Sequence, residues 1–255
     1  RHLTDWFHAI TEAVKFSAVR HLGIPADRVT VVERGRSRER LGFPGPGRRR
    51  RVRRRLGLPE DAEVVVNVAR QEYQKGQKYL LEAASMLADA RPRLVVLVCG
   101  RDGHATGELR TLHDQLGLGR RVRFLGDRPD VPDVLAAADA FAFPSIYEGL
   151  GGAMIEAMAM GLPIVASDIP ALREVVESGC NALLVPSRSP APLAAALADV
   201  LDDPTVASTF GRRSREIFRE RFTIERSAQR MIELYAEVVG SPSFGIEPSS
   251  AVSVG

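Results

Sequence analysis

From Glu63 to Pro186 the chain repeats one pattern: a short apolar run, a glycine-bearing loop, then apolar residues at helical spacing. The apolar runs are EVVVNVA (63–69), RLVVLVCG (93–100), RVRFLG (121–126), DAFAFP (139–144), PIVASD (163–168) and NALLVP (181–186). Strands this apolar are covered on both faces, and strands that alternate with helices run parallel. Right-handed crossovers then lead to one architecture: an α/β fold, a Rossmann-like doubly wound parallel six-stranded sheet. Helical spacing falls at 76–90, 107–117, 131–138 and 152–161. C-terminal helices at 191–203, 205–222 and 223–239 follow the last strand, with Thr223 placed to cap the final one.

Residues 41–239 are therefore read as one Rossmann-like domain. Before it, residues 1–40 include TEAVKFSAVRHLGIPADRVTVVERG, which reads as helix, Gly-Ile-Pro turn and strand, an interdomain lead-in. After it, residues 240–255 are rich in serine, proline and glycine and are expected to form a flexible tail. No apolar run is long enough to span a bilayer and no secretory signal is visible. The two cysteines, Cys99 and Cys180, lack metal or disulfide spacing. Both are expected to be small buried residues of a cytoplasmic protein, with Trp6, Tyr73, Tyr147 and Tyr235 as packing residues.

One segment departs from ordinary composition. GRRRRVRRRLG (47–57) is densely basic, although the whole chain carries a net charge of only +3. No aromatic residue interleaves to stack bases, so nucleic acid is not the partner expected. The segment reads as a solvated, arginine-rich helix start. The other use of such a patch is a peripheral membrane contact through Arg48–Arg55.

In a doubly wound sheet, ligands bind outside the carboxyl ends of the strands. The loop after the first strand, ARQEYQKG, carries Arg70, Lys75 and Gly76; Lys75 is one of only three lysines in the chain. Gly100, Gly103 and His104 follow the second strand, and Ser167 and Asp168 the fifth. The fourth opens into SIYEGLGGAMIEAMAMGLPIV (145–165), where Glu148 and Glu156 bracket Gly149, Leu150, Gly151 and Gly152. Two cations and a glycine loop at a helix start suit a diphosphate. Carboxylates would repel it, so Glu148 and Glu156 are read as acceptors for hydroxyls. Glu156 interrupts an apolar helical face, where an unpaired charge is costly. Asp168 is read as a cap for the next helix, and His104 either as a ligand contact or as a solvent-facing loop residue. Phosphates and hydroxyls together suit a nucleoside diphosphate sugar; no cofactor is called for.

Glu148 to Glu156 is an E-x7-E motif, and ARQEYQKG contains R-x4-K-G. With RVRFLG, ADAFAFPS and EAMAMGLPIVASDIPALREVV, most of the chain resembles the C-terminal, donor-binding domain of a retaining GT-B glycosyltransferase of the GT4 type. The resemblance implies roles. Arg70 and Lys75 would bind the diphosphate and stabilise the departing nucleotide, and Glu148 would face the transferred sugar; these are the catalytic residues. Gly149, Leu150, Gly151 and Gly152 would contact sugar and phosphate. Glu156 would hold the ribose, and the backbone at Phe124 and Leu125 the base. No metal is expected, since fixed cations take its place and no D-x-D is present. The acceptor, a glycan, lipid or small molecule, would be met by a second domain. The alternatives are a GT-B-like nucleotide-sugar epimerase, which would need a catalytic acid/base set in the cleft, and a non-catalytic nucleotide-sugar binding module that uses the arginine run as a membrane-surface anchor. Ala69 before the arginine, EGLGG in place of Glu-Gly-Phe-Gly-Leu, and Arg34 where asparagine is common depart from the family pattern and bear on sugar identity.

Overall fold

The computed structural model describes residues 4–240, so of the tail expected at 240–255 only Gly240, which ends the last helix, is among the described residues. The chain opens with β1 (Phe7–Ala9), α1 (Glu12–Leu22) and β2 (Val29–Val31). The two strands pair in parallel as a separate two-stranded sheet, Phe7 beside Val29 and Ala9 beside Val31. Helix and second strand fall where the spacing puts them, but β1 is too short for periodicity to reveal. This lead-in is docked on the domain. Glu174 accepts from the backbone N–H of Glu12 and of Ala13, both at 2.7 Å, so a carboxylate caps the start of α1.

Two helices, α2 (Arg38–Leu41) and α3 (Pro46–Arg55), lead into the main sheet. There follow β3 (Glu63–Val68), α4 (Gln77–Met86), β4 (Leu94–Cys99), α5 (Thr106–Gln115), β5 (Val122–Gly126), α6 (Val131–Ala136) and β6 (Ala140–Phe143). Next come α7 (Gly152–Ala159), β7 (Ile164–Ser167), α8 (Pro170–Arg173) and β8 (Ala182–Val185), and the chain closes with α9 (Pro190–Asp202), α10 (Pro204–Arg221) and α11 (Ile224–Gly240). All six strands pair in parallel, in the order β5-β4-β3-β6-β7-β8. This is the doubly wound, six-stranded sheet that the apolar runs predict. Thr223 caps α11 as expected, its Oγ1 accepting from Arg226 N at 3.3 Å.

Strand residues alternate between two cores, one on each face of the sheet. Val64, Val66, Phe141 and Phe143 pack with Met154, Ile155 and Phe218 of α7 and α10. Val65, Val96, Ala140 and Ala142 pack with Leu80, Leu81, Leu193 and Leu197 of α4 and α9. Cys99 ends β4 inside the sheet, and burial pushes its thiol up to about 12. Cys180, expected to be buried, is exposed, because it sits in the turn before β8. Tyr73, Tyr147 and Tyr235 are also exposed, not packed as expected: they lie in loops or on the outer face of α11. Trp6 does pack, donating Nε1 to Thr30 Oγ1 at 3.0 Å.

The arginine segment is not simply a solvated helix start. Of the seven arginines between 48 and 55, four are tied into the seam between α3, α6 and β6. Arg48 Nε meets Asp133 Oδ1 at 2.8 Å, and Arg55 Nη2 meets Asp130 Oδ2 at 2.7 Å. Arg53 is 7% exposed. It donates to Asp139 Oδ2 at 2.6 Å, to Ala137 O at 3.0 Å and to Ala62 O at 2.9 Å. Arg49 also reaches Asp139 and the Ala137 and Ala138 carbonyls. Two guanidinium groups therefore serve the free carbonyls at the C-terminus of α6, where positive charge is favourable. Burial pulls the Arg53 guanidinium below its ordinary pKa, opposed by Asp139.

Two predictions follow from this seam. Asp139→Asn leaves Arg53 buried without its counter-charge and is expected to lower the unfolding free energy by about 2–3 kcal/mol in urea denaturation. Arg50→Gln, on the exposed side of α3, shifts it by no more than about 0.5 kcal/mol. Second, the hydrogen bond from Arg128 holds the Asp130 carboxyl below its usual range, while at Asp133 burial pulls the other way and is outweighed by Arg48 and Arg55. A depressed carboxyl pKa stabilises the fold above the unfolded value and is lost as pH falls through the folded one. The melting temperature is therefore expected to drop as pH falls below about 4, less steeply in Asp133→Asn.

Candidate functional site

The winding of the sheet reverses between β3 and β6, its two middle strands. Loops that leave these strands diverge, and between them lies a cleft of about 460 Å³ at the carboxyl edge of the sheet. Arg70 follows β3 directly. Gln77, buried, fixes the backbone beneath it by donating to Ala69 O at 3.2 Å and Arg70 O at 3.3 Å. The Arg70 side chain is exposed at the cleft and forms no ion pair among the described residues.

Lys75 ends a single turn and is followed by Gly76 at φ 64°. A Cβ on Gly76 would lie 2.0 Å from Pro144 O, so only glycine lets the β3 and β6 loops meet here. Their meeting brings Lys75 Nζ to Glu148 Oε1 at 2.7 Å, and Ser145 Oγ donates to the same oxygen at 2.8 Å. The Lys75 side chain is 18% exposed and that of Glu148 8%, so their attraction is less screened than that of a surface pair. Glu156 has its own cation: its Oε1 accepts from Arg36 Nε at 2.8 Å. Each glutamate read as a hydroxyl acceptor thus has one oxygen held by a cation, and its Oε2 has no protein partner among the described residues.

Gly151 is the N-cap of α7, and no side chain caps the helix. The Gly152 and Ala153 N–H groups therefore lack a capping partner at positions that line the cleft. Arg70, Lys75, the Gly152 end of α7, Glu148 and Glu156 converge as the sequence suggests. With the orphan N–H groups between them, the arrangement is chemically suited to an anion, with carboxylate oxygens to its sides able to accept hydroxyls.

Other expected residues lie elsewhere. Phe124 does not line the cleft; its ring sits 5.7 Å from His113 and 5.7 Å under the Arg110 guanidinium, towards α5. Leu125 packs against the core instead. Asp127 and Arg128, beyond the end of β5, form that wall. Leu150 is 5% exposed and packed in the core beneath the loop. Gly149 faces the lead-in, its carbonyl accepting from Thr11 Oγ1 at 2.8 Å. His104 pairs with Glu72 at 2.9 Å, outside the cleft lining, and that bond holds the Glu72 carboxyl below its usual range. Asp168 does not cap α8; Arg173 Nη2 grips its Oδ2 at 2.8 Å and keeps the carboxyl low. Arg101 and Arg128 also line the cleft and were readable, since each stands two residues past the end of its strand, β4 or β5. Arg36, which comes from 120 residues away from Glu156, carries no local signal.

Fold and cleft together define an α/β domain with a cleft lined by cations and carboxylates where its winding reverses. Residues 48–217 match the family model described as glycosyl transferases group 1, and the chain belongs to that family. The D-inositol 3-phosphate glycosyltransferase of Corynebacterium efficiens is 35% identical over 243 residues, 91% of this chain and 56% of that protein. The 2-deoxystreptamine glucosyltransferase of Streptomyces kanamyceticus is 32% identical over 198 residues, 76% of this chain and 51% of that protein. Among solved structures, Anabaena Alr3699/HepE in complex with UDP and glucose matches with a TM-score of 0.85 at 27% identity, over 91% of this chain and 63% of that one. The chain spans about half the length of the curated relatives it matches.

The loop contact at Gly76 yields a prediction. Gly76→Ala places a Cβ against a backbone carbonyl as well as at positive φ, and is expected to cost about 2 kcal/mol or more. Gly57→Ala, at φ 58° with open space around it, isolates the conformational part and is expected to cost about 1 kcal/mol. Comparing the two by thermal or urea denaturation measures the steric share.

Proposed function

We propose that this chain is the donor-binding half of a retaining, metal-independent glycosyltransferase that moves a sugar from a nucleoside diphosphate sugar, UDP-linked in first choice, to an acceptor hydroxyl. The observation that carries the reading is the convergence of Arg70, Lys75 and the uncapped start of α7 in one cleft, with Glu148 and Glu156 at its sides. The diphosphate would lie against the Gly152 and Ala153 N–H groups, with Arg70 and Lys75 balancing its charge. As the glycosidic bond to the phosphate breaks, negative charge grows on the leaving diphosphate. Fixed cations and helix N–H groups stabilise that charge without reorganising, in the role a divalent ion plays elsewhere. Glu156 Oε2 would accept a ribose hydroxyl. Glu148, steadied by Lys75 and Ser145, would accept from the transferred sugar. The base would meet the wall formed by Asp127 and Arg128.

UDP is favoured because the Anabaena neighbour holds UDP and glucose. A hydroxyl acceptor is favoured by the acceptors in the two relatives' names. Acceptor binding is assigned to a second domain. A peripheral membrane contact through residues 48–55 would fall to Arg50, Arg51 and Arg54, the arginines left exposed and outside the α6 seam.

Calorimetric titration with UDP, GDP and ADP tests the reading. UDP is expected to bind, and Lys75→Ala and Glu156→Ala each to weaken it roughly tenfold. Lys78→Ala, an exposed lysine outside the cleft lining, is expected to leave binding unchanged. No binding of any of the three at millimolar concentration would sink the proposal.

A further inference from the structure

One charged group of this site does not come from a strand end. Arg36 lies between β2 and α2, and its backbone is held at the junction of α10 and α11. Its N–H donates to Phe222 O at 2.8 Å, and its carbonyl accepts from Ile224 N at 3.1 Å. From that fixed point the side chain crosses to α7. Nε donates to Glu156 Oε1 at 2.8 Å and Nη1 to Gly35 O at 3.2 Å. Nη2 lies directly on Gly152, where a Cβ would come within 1.8 Å of it. Gly152 and Glu156 stand four residues apart on one face of α7, and the guanidinium runs along that face.

The Glu156 carboxylate has no other hydrogen-bond partner among the described residues. A glutamate on a helix has several rotamers open to it, and each would aim its carboxylate differently. A guanidinium that holds one oxygen selects one of them and leaves the other oxygen for a second donor. The absence of a side chain at Gly152 is what gives the guanidinium its path.

We propose that Arg36 is a positioning residue of the donor site: it fixes Glu156 in the orientation from which Oε2 accepts a ribose hydroxyl, and residue 152 is glycine so that Arg36 can reach it. The inference rests on the donor reading above. It makes the ribose end of the cleft depend on a segment anchored at the α10–α11 junction. Loss of Arg36 then weakens recognition of the ribose hydroxyls and leaves the diphosphate contacts alone.

Calorimetric titration of the 255-residue chain with UDP and with 2′,3′-dideoxy-UDP separates these effects; GDP or ADP with its dideoxy form replaces them if it binds the wild type more tightly. Arg36→Met is expected to raise the UDP dissociation constant about tenfold and to leave that of the dideoxy form within about twofold. Gly152→Ala, which displaces the guanidinium, should also lower the UDP affinity, and the double variant should bind UDP no worse than either single one. In a Glu156→Gln background Arg36→Met should add nothing. Should Arg36→Met melt early, Arg36→Lys carries the comparison, with the same hydroxyl-dependent loss expected. An unchanged UDP affinity, equal losses for UDP and its dideoxy form, or additive losses in the double variant overturn the inference while the donor reading stands. A wild type that binds none of the three nucleotides overturns the donor reading, and this inference with it.

Discussion

The cleft exists because the sheet changes its direction of winding between β3 and β6. Right-handed crossovers carry the chain outward from β3 through β4 to β5, then back past β3 and outward again through β6, β7 and β8. The loops after β3 and β6 must therefore part at the carboxyl edge, and every group of the site hangs from that parting. Arg70 and Lys75 belong to one lip, Ser145, Glu148 and α7 to the other. The lips meet where Gly76 lies against Pro144 and where Ile146 N–H donates to Gln74 O at 2.8 Å, and these contacts set how far Lys75 stands from Glu148.

Within the cleft, charge is balanced before any ligand arrives. Glu148 is nearly buried and would be costly alone; Lys75 and Ser145 make its burial tolerable. Glu156 is steadied by Arg36 in the same way. Arg70 remains unpaired among the described residues, beside the uncapped N–H groups of α7. The net result is a site with an excess of positive potential at its middle and acceptor oxygens at its sides. The same economy governs the arginine seam, where Asp130, Asp133 and Asp139 turn a run of like charges into a bond between α3, α6 and β6. In both places the chain uses arginine where several hydrogen bonds must be made from one planar group.

Much of this was legible in the residues alone. Unbroken apolar runs such as RLVVLVCG have no polar face to offer water, so both faces must be covered and the sheet must be parallel. That fixes which ends of the strands carry ligand, and reading those ends brings Arg70, Lys75, Glu148, Gly152 and Glu156 together. Where that reading missed, the signal was absent or misplaced along the strand. Phe124 and Leu125, whose backbone the resemblance offers to the base, still lie within β5, and the residues that line the cleft on that side are Asp127 and Arg128. Leu150 looks like a loop residue but is apolar, and the core takes it. Asp168 has a cap's position, yet Arg173 offers it a stronger partner.

The sequence by itself determined the parallel sheet, the hand of its crossovers and most of the groups at its carboxyl edge, because hydrophobic period and glycine placement are local properties that sterics and water convert directly into architecture. Only the tertiary structure decided which charge answers which. Arg36 meeting Glu156, Lys75 meeting Glu148, and Arg53 buried on Asp139 are contacts between segments far apart in the chain. No periodicity encodes them. They arise because a carboxylate withdrawn from water takes the nearest cation the packed backbone can supply, and that distance exists only once the chain has folded.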